Sequence, residues 1–246
     1  MHHRVFVSLF AFLILALAVA WPPDAPGHAQ PKGEDDPLPG EMVNIDIDAP
    51  QNQSYRLAIV DFFGHRAHGA EGASILRNDF SLMPGYRVLD GRTIVHDVEG
   101  EGLSANPATW GRYQANGVVK GQVSEEAGGK IRMDLRFIHF AQGAAPALSK
   151  TYTGTTKDIR GWMHDFGNEM LRIMTGKAGV FGTEITYARR VGPGRKDVFC
   201  SGMDGYGEIR LTNGRGIAML PSFDEGGKHV WFTRLTEMGM FITKSG

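Results

Sequence analysis

Hydrophobic and polar residues alternate strictly in the short segment VNIDIDA, which precedes the longer hydrophobic runs of the chain. A period of two predicts a β-strand with one apolar and one polar face. The apolar face consists of Val43, Ile45 and Ile47. The polar face consists of Asn44, Asp46 and Asp48. The two carboxylates could form half of a metal site or an acid/base pair, but residues two apart on a strand usually share a solvated face.

Strands and helices alternate after this segment. A polar turn, QNQS, leads to a continuous apolar run at 57–63, which predicts a strand buried on both faces. We expect a loop rich in Gly and His at 64–72 and then a helix that ends at Pro84 and Gly85. The apolar face of this helix carries Ala73, Leu76, Phe80 and Met83. A short strand is expected at 86–89.

The following hundred residues or so continue the mixed pattern. The pattern predicts a helix opened by Asn106 and Pro107, strands at 118–123, 131–137 and 147–153, and a long helix at about 157–175. The long helix has an apolar stripe of Ile159, Trp162, Phe166, Met170 and Ile173, with Gly176 as its stop. Residues 41–179 therefore indicate an α/β (α+β) amino-terminal domain, with a mixed sheet and flanking helices.

The pattern changes beyond residue 179. Helical periodicity is absent from 183–246, and Gly-rich turns separate short candidate strands at 185–189, 197–201, 208–211, 230–233 and 238–243. Four or five short strands in this length correspond to about one blade of a β-propeller. We expect residues 180–246 to form an incomplete, all-β propeller-type segment.

The amino terminus has the features of a secretion signal. Arg4 precedes an apolar run at 5–20 that ends in the small-residue triplet AVA. The sequence thus predicts a signal peptide at 1–20, with cleavage after Ala29 or an uncleaved anchor as alternatives. A disordered tether, rich in Pro and acidic residues, follows at 21–40. After cleavage we expect no transmembrane segment, because no second apolar run of about 20 residues follows.

Composition narrows the functional classes. The formal net charge is −1, which gives no general field for binding phosphates, so nucleic acid is not an expected partner. A single Cys, Cys200, cannot form an internal disulfide.

Known catalytic motifs are missing from the sequence. It contains no G-x-S-x-G elbow, H-E-x-x-H helix, P-loop or G-x-G-x-x-G. His65 and His68, with Asp61 nearby, could bind a metal, but two solvated histidines are the simpler interpretation. Cys200 could be a nucleophile, although an isolated Cys in a strand is usually a small buried hydrophobe. We expect neither enzymatic activity nor a cofactor or metal.

Two exposed features have simple structural interpretations. Asp204 and Gly205 are expected to form a turn. Arg189, Arg190, Arg195 and Lys196 form a basic strip, which is either a solvated hairpin or a partner-binding patch.

The order of segments resembles the TolB family, the periplasmic components of the Tol-Pal envelope system. The matching segments are VNIDIDA, LAIVDFFG, LRNDF, NPATWGRYQANGVVKGQV, MTGKAGVFGTEITYARR and MDGYG. The resemblance covers 41–246 and implies the family's amino-terminal domain with its first propeller blade. It also implies a periplasmic location and a role in cell-envelope integrity, cell division and protein import, without catalysis.

The resemblance also implies partners. In the family, the first strand of the mature chain engages TolA, and this strand corresponds to Val43–Asp48. The family binds the lipoprotein Pal at the propeller mouth, which this chain does not contain in full. Two other interpretations remain open from the sequence: a secreted hydrolase with an unrecognised site, and a non-functional remnant of a full-length protein.

Overall fold

The computed structural model of the protein describes residues 54–245. Within them the chain forms two β-sheets and three α-helices. Three predicted segments lie outside the described residues and stay predictions: the signal peptide, the tether and the strand expected at 43–48. The predicted domain boundary at 179/180 lies within the described residues and also stays a prediction.

The amino-terminal sheet is mixed, as the sequence predicts. Its strands are β1 (Tyr55–Ile59), β2 (Phe63–Gly64), β3 (Tyr86–Val88), β4 (Gly117–Glu126), β5 (Lys130–His139) and β6 (Pro146–Gly154). The order is β3-β1-β4-β5-β6, and β2 pairs with the far end of β4. Strand β1 runs parallel to β3 and β4, whereas β4, β5 and β6 form an antiparallel meander. Strand β3 is therefore one edge of this sheet.

Three helices accompany this sheet: α1 (Arg66–Ser81), α2 (Pro107–Gly111) and α3 (Ile159–Thr175). Helix α2 is shorter than expected and begins with the predicted Asn106 cap, whose side chain accepts a hydrogen bond from the Ala108 N–H. Helix α3 ends at Gly176, which has a φ of 72°. Of the predicted stripe on α3, Ile159, Phe166 and Met170 are fully buried and the other two lie at its border.

The Gly- and His-rich loop predicted at 64–72 is wrong, because α1 already begins at Arg66. The glycines in this stretch serve close packing inside the helix. A Cβ on Gly69 would lie 2.0 Å from the Phe62 carbonyl oxygen, and one on Gly72 would lie 3.1 Å from the Phe62 ring. Glycine thus lets the first turns of α1 approach the segment that follows β1.

Both faces of the amino-terminal sheet are covered. On one face, Leu57 and Ile59 pack with α1 and α3 in the main core. On the other face, Ala58 and Val60 pack with Trp110 of α2 in a smaller core. Successive side chains of a strand point to opposite faces, so β1 contributes to both cores and reads as a continuous apolar run.

The carboxyl-terminal sheet is open and all-β. Its strands are β7 (Glu184–Gly192), β8 (Arg195–Gly202), β9 (Ile209–Arg210), β10 (Ile217–Phe223), β11 (Val230–Thr236) and β12 (Gly239–Lys244). The order is β12-β11-β10-β8-β7, with β9 also paired to β8. The strand predicted at 208–211 is reduced to two residues. The α/β domain followed by an incomplete all-β segment is confirmed.

Strand β10 was not predicted from the sequence. It contains Pro221, which cannot donate to a ladder, and Leu220, whose φ is 52°. The register with β11 shifts between Met219 and Ser222, so both residues lie at a bulge. A Pro inside an apolar run normally argues against a strand, and the bulge explains why it is tolerated here.

Neither long helix within 54–245 combines the length and hydrophobicity that a bilayer crossing requires.

Two exposed glycines of α3 provide opposite stability tests. Gly161 lies in the helix with open space around its Cα, whereas Gly176 occupies the left-handed region at the helix end. Gly161→Ala should raise the free energy of unfolding by about 0.5 kcal/mol, because Ala is the better helix former. Gly176→Ala should lower it by about 1 kcal/mol, because a Cβ strains the left-handed conformation. Urea denaturation measures both, and equal effects of the two substitutions would contradict this end of α3.

Candidate functional site

Helix α3 carries a polar row, Arg160, His164 and Asn168, beside its apolar stripe. Residues four apart lie on the same face of a helix, so these three side chains form one row. Each of them contacts a residue of α1 or of the chain beyond 179. The row therefore connects the helical layer to the segment that forms the carboxyl-terminal sheet.

The centre of the row is a buried carboxylate. Asp79 on α1 is only 1% exposed, and its Oδ2 lies 2.9 Å from Nδ1 of His164. An ionised carboxylate only accepts hydrogen bonds, so Nδ1–H of His164 is the donor. Nε2 of the same ring lies 3.9 Å from Oδ2 of Asp204. A buried carboxylate without a partner is strongly unfavourable, which makes the His164 contact a structural requirement.

The Asp204 turn lies against this pair. Gly205 has a φ of 81°, and the Tyr206 N–H donates to Oδ1 of Asp204 at 2.9 Å, so the predicted turn is present. Arg160 forms an ion pair with Oδ2 of Asp204, and its guanidinium lies 3.8 Å from the centre of the Tyr206 ring. The turn thus also joins the carboxyl-terminal sheet to α3. We call Asp79, Arg160, His164 and Asp204 the charge cluster.

Asp79, His164 and Asp204 also have the composition of a metal site, with one ligand-type atom of each within 4.8 Å of the others. Two internal contacts compete with this use. Nδ1 of His164 is engaged by Asp79, and Asp204 holds the Arg160 guanidinium. A cation beside a fixed guanidinium would also be repelled. We therefore interpret the cluster as an internal ion network.

Asn168 holds the segment that enters the carboxyl-terminal sheet. Its side-chain amide donates to the Phe181 carbonyl at 3.0 Å and accepts from the Phe181 N–H at 3.0 Å. The Phe181 ring is buried in the main core and meets Phe80 edge-on, with ring centres 5.2 Å apart. Helix α3 thus holds the backbone of Phe181, and the main core holds its side chain.

This row is not predicted from the sequence. The apolar stripe of α3 predicts only the helix, and Asp204 with Gly205 predicts only a turn. The spacing of Arg160, His164 and Asn168 is visible in the sequence. Their partners are separated from them in sequence, however, and only the packing of α1 and the Asp204 turn against α3 brings them together.

The histidine pair predicted as a possible metal site has other contacts. His65 caps α1, with Nδ1 accepting from the His68 N–H at 3.4 Å, and its Nε2 lies 3.1 Å from Glu125. Asp61, which lies near the histidine pair in sequence, pairs with Arg77 at 2.8 Å. The two imidazole rings stack with centres 4.1 Å apart. These contacts favour a capping role over metal binding.

Cys200 and the basic strip lie in the hairpin of β7 and β8. Burial, together with the charge of Glu184, raises the pKa of the Cys200 thiol, which disfavours the nucleophilic thiolate. Arg189 of the strip donates to Oε1 of Glu208 at 2.8 Å. Arg189 thus forms an ion pair within its own sheet, which favours the interpretation of the strip as a solvated hairpin.

A second polar cluster is buried on the α2 side of the amino-terminal sheet. The Lys120 side chain is fully buried, and its Nζ donates to the Val98 carbonyl at 2.6 Å and to Glu101 at 3.1 Å. Burial lowers the pKa of Lys120 more than Glu101 raises it. Burial alone would raise the pKa of Glu101, but hydrogen bonds from Lys120 and Trp110 and the Lys120 charge bring it below its ordinary value. This cluster fixes the loop before α2 to the sheet.

His164→Ala should lower the free energy of unfolding by about 3 kcal/mol, because it leaves the Asp79 carboxylate buried without its partner. The double variant Asp79→Ala, His164→Ala should lose less, since the unpaired charge is gone. Arg92→Ala, which breaks an exposed pair with Asp90, is the control and should change little. Urea denaturation tests this series, and a His164→Ala loss no larger than the control would contradict the buried pair.

Glu101 should make stability depend on acid pH. Its pKa is lowered from 4.5 in the folded protein. Its contribution is therefore present above about pH 4.5 and is lost as the pH falls through the folded value. Glu101→Gln should flatten the fall in unfolding free energy between about pH 5 and pH 3. Denaturation across this range, with the exposed Glu99→Gln as control, measures the effect, and an unchanged slope would contradict it.

Comparison with known proteins shows what this chain is similar to. Residues 43–145 match the TolB amino-terminal domain. The Tol-Pal system protein TolB of Syntrophotalea carbinolica is 26% identical over 197 residues, which cover 77% of this chain and 45% of that protein. A protein TolB homolog of Chlorobium luteolum is 30% identical over 116 residues, 47% of this chain and 26% of that protein. The chain thus spans less than half the length of these relatives.

The fold is similar to that of a solved structure. The crystal structure of TolB from Acinetobacter baumannii superimposes with a TM-score of 0.64 at 17% identity, and covers 78% of this chain and 47% of that one. A share of 78% of 246 residues is about 192, more than the 183 residues that precede the carboxyl-terminal sheet, so the match extends into that sheet. The amino-terminal domain match and the similar sequences support a relation to the TolB family, and the fold agrees with it.

Proposed function

We propose that the chain is a periplasmic component of a Tol-Pal-type envelope system that acts by binding proteins, without catalysis. The observation that carries this proposal is the family match, which begins at residue 43, at the start of the alternating strand. The relatives named Tol-Pal system protein TolB support the system. The predicted signal peptide supports the location.

We propose further that the 43–48 segment binds a TolA-like protein by adding a strand to the edge of a sheet. In this mode the backbone supplies the hydrogen bonds, and alternate side chains supply specificity. Val43, Ile45 and Ile47 would cover apolar surface of the partner. Asn44, Asp46 and Asp48 would stay in water. Residues 49–54 connect this strand to β1, and their length sets how far it could reach from the folded domain.

The amino-terminal sheet offers the same strand a place on its own chain. Strand β3 pairs only with β1 in the described residues, so its outer edge is open. Tyr55 at the start of β1 lies opposite Tyr86 at the start of β3. Residues 49–54 can span about 20 Å, whereas two strand spacings need about 10 Å. Docking on β3 and binding a partner would then compete, which would couple the two equilibria.

Calorimetry with a purified TolA-like protein tests the strand. Replacing Ile45 with Pro removes a backbone donor and an apolar contact, and should weaken binding at least tenfold. Deleting 43–48 should abolish it. A deletion of 27–32, equal in length but within the tether, should leave affinity unchanged.

Circular dichroism of each variant separates lost binding from lost folding. Full affinity of a folded 43–48 deletion would reject the strand as the contact.

We do not extend the proposal to a Pal-like lipoprotein. The resemblance assigns that contact to the mouth of a complete propeller, and the described residues contain a single sheet of propeller type.

A further inference from the structure

The sequence contains two Asn-Gly pairs, Asn116-Gly117 and Asn213-Gly214. In such a pair the backbone nitrogen of the glycine can attack the side-chain amide of the asparagine and close a small cyclic imide. The two groups are held close together by the chain itself, and glycine has no Cβ to hinder the approach. The attack requires a backbone that can turn and a glycine nitrogen that is not held in a hydrogen bond. The fold meets these requirements at only one of the two pairs.

The first pair is locked into the amino-terminal sheet. The Asn116 side-chain oxygen accepts a hydrogen bond from the Arg56 N–H at 2.7 Å, and the Asn116 N–H donates to the Arg56 carbonyl at 2.8 Å. Gly117 is buried at the start of β4 and pairs with Leu57 on one side and with His139 on the other. Closing a ring at this pair therefore first requires local opening of the sheet.

The second pair lies in the connection between β9 and β10, outside the paired strands. The chain is fixed as far as Thr212, whose side chain donates to the buried Asp197 at 2.8 Å and accepts from the Val198 N–H at 3.0 Å. Asn213, the next residue, is exposed. Within the described residues, neither its side-chain amide nor the Gly214 N–H has a hydrogen-bond partner. The attacking nitrogen and the attacked amide are therefore both available.

A positive charge lies beside this second pair. The guanidinium of Arg234, from β11, lies directly against Gly214, at the place where any other residue would carry its Cβ. A fixed cation beside the reacting glycine stabilises the negative charge that develops on the amide oxygen during the attack. It also provides a partner for a carboxylate formed at position 213.

We propose that Asn213 is a site of spontaneous deamidation. The Gly214 nitrogen loses its proton to solvent and forms a bond to Cγ of Asn213, while the bond from Cγ to the side-chain nitrogen breaks and ammonia leaves. Water then opens the cyclic imide at one of its two carbonyls, which gives either aspartate or isoaspartate. An amide and a water thus become a carboxylate and an ammonium ion, without oxidation or reduction.

The modification would place a negative charge, which accumulates with the age of the molecule, on the connection between β9 and β10. The formal net charge, −1 for the sequence, becomes more negative by one charge. The new carboxylate lies beside Arg234, so an ion pair can form between this connection and β11. The site does not involve 43–48, so it is independent of the proposed TolA contact.

Peptide mapping by mass spectrometry of the folded 246-residue chain tests the proposal. Trypsin places the two pairs in separate peptides, because it cleaves after Arg112, Lys120, Arg210 and Arg215. After incubation at mildly alkaline pH, conversion of Asn213 should exceed conversion of Asn116 by about tenfold or more, because only Asn116 needs prior opening of a sheet. Chromatography of the 213 peptide should separate an aspartate and an isoaspartate product.

Two controls connect the difference to the fold. In guanidinium chloride the two pairs should react at similar rates, because both backbones are then free. Asn213→Gln should abolish the modification at this position and leave conversion at 116 unchanged, because the longer side chain closes a larger, less favoured ring.

Three results would overturn the proposal. They are the absence of conversion at Asn213 in the folded chain, conversion at Asn116 that equals or exceeds it, and the same ratio between the two positions in the folded and the denatured chain. The last result would assign the difference to the neighbouring sequence and not to the hydrogen bonds of the fold.

Discussion

The described part of the chain is organised around a buried carboxylate and the helix that supplies its hydrogen-bond partner. Asp79 lies between α1 and α3 at 1% exposure, and only the imidazole of His164 makes this burial tolerable. The same imidazole faces Asp204, which Arg160 holds by an ion pair. The apolar side of α3 packs on the sheet, while its polar row holds the next segment of the chain. Helix α3 thereby contacts both the amino-terminal sheet and the segment that forms the carboxyl-terminal sheet.

Elements whose signals are local were predictable. The alternation in β5, the Asn106 cap of α2 and the Gly176 stop of α3 follow from neighbouring residues alone. The start of α1 was not predictable, because Gly69 and Gly72 read as loop residues until the close approach of Phe62 is known. Strand β10 was not predictable for a related reason. Pro221 argues against a strand unless the bulge at which it lies is known.

The site was predictable only in part. The alternation at 43–48 predicts a binding strand from six residues alone, and this stays a prediction because the segment lies outside the described residues. The charge cluster cannot, because Asp79, His164 and Asp204 are spread over 126 positions and meet only through packing. Lys120 is a similar case. It interrupts an apolar strand, and its partner Glu101 lies in a loop for which the sequence predicts no helix or strand.

Phe181 has a consequence for dissecting the protein. Its ring lies in the main core and its backbone is held by Asn168, yet it stands two residues beyond the predicted end of the amino-terminal domain. A fragment that stops at 179 would leave a void beside Phe80. It would also leave the Asn168 side-chain amide without both of its backbone hydrogen-bond partners. Fragments meant to isolate the amino-terminal domain should therefore extend at least to Phe181.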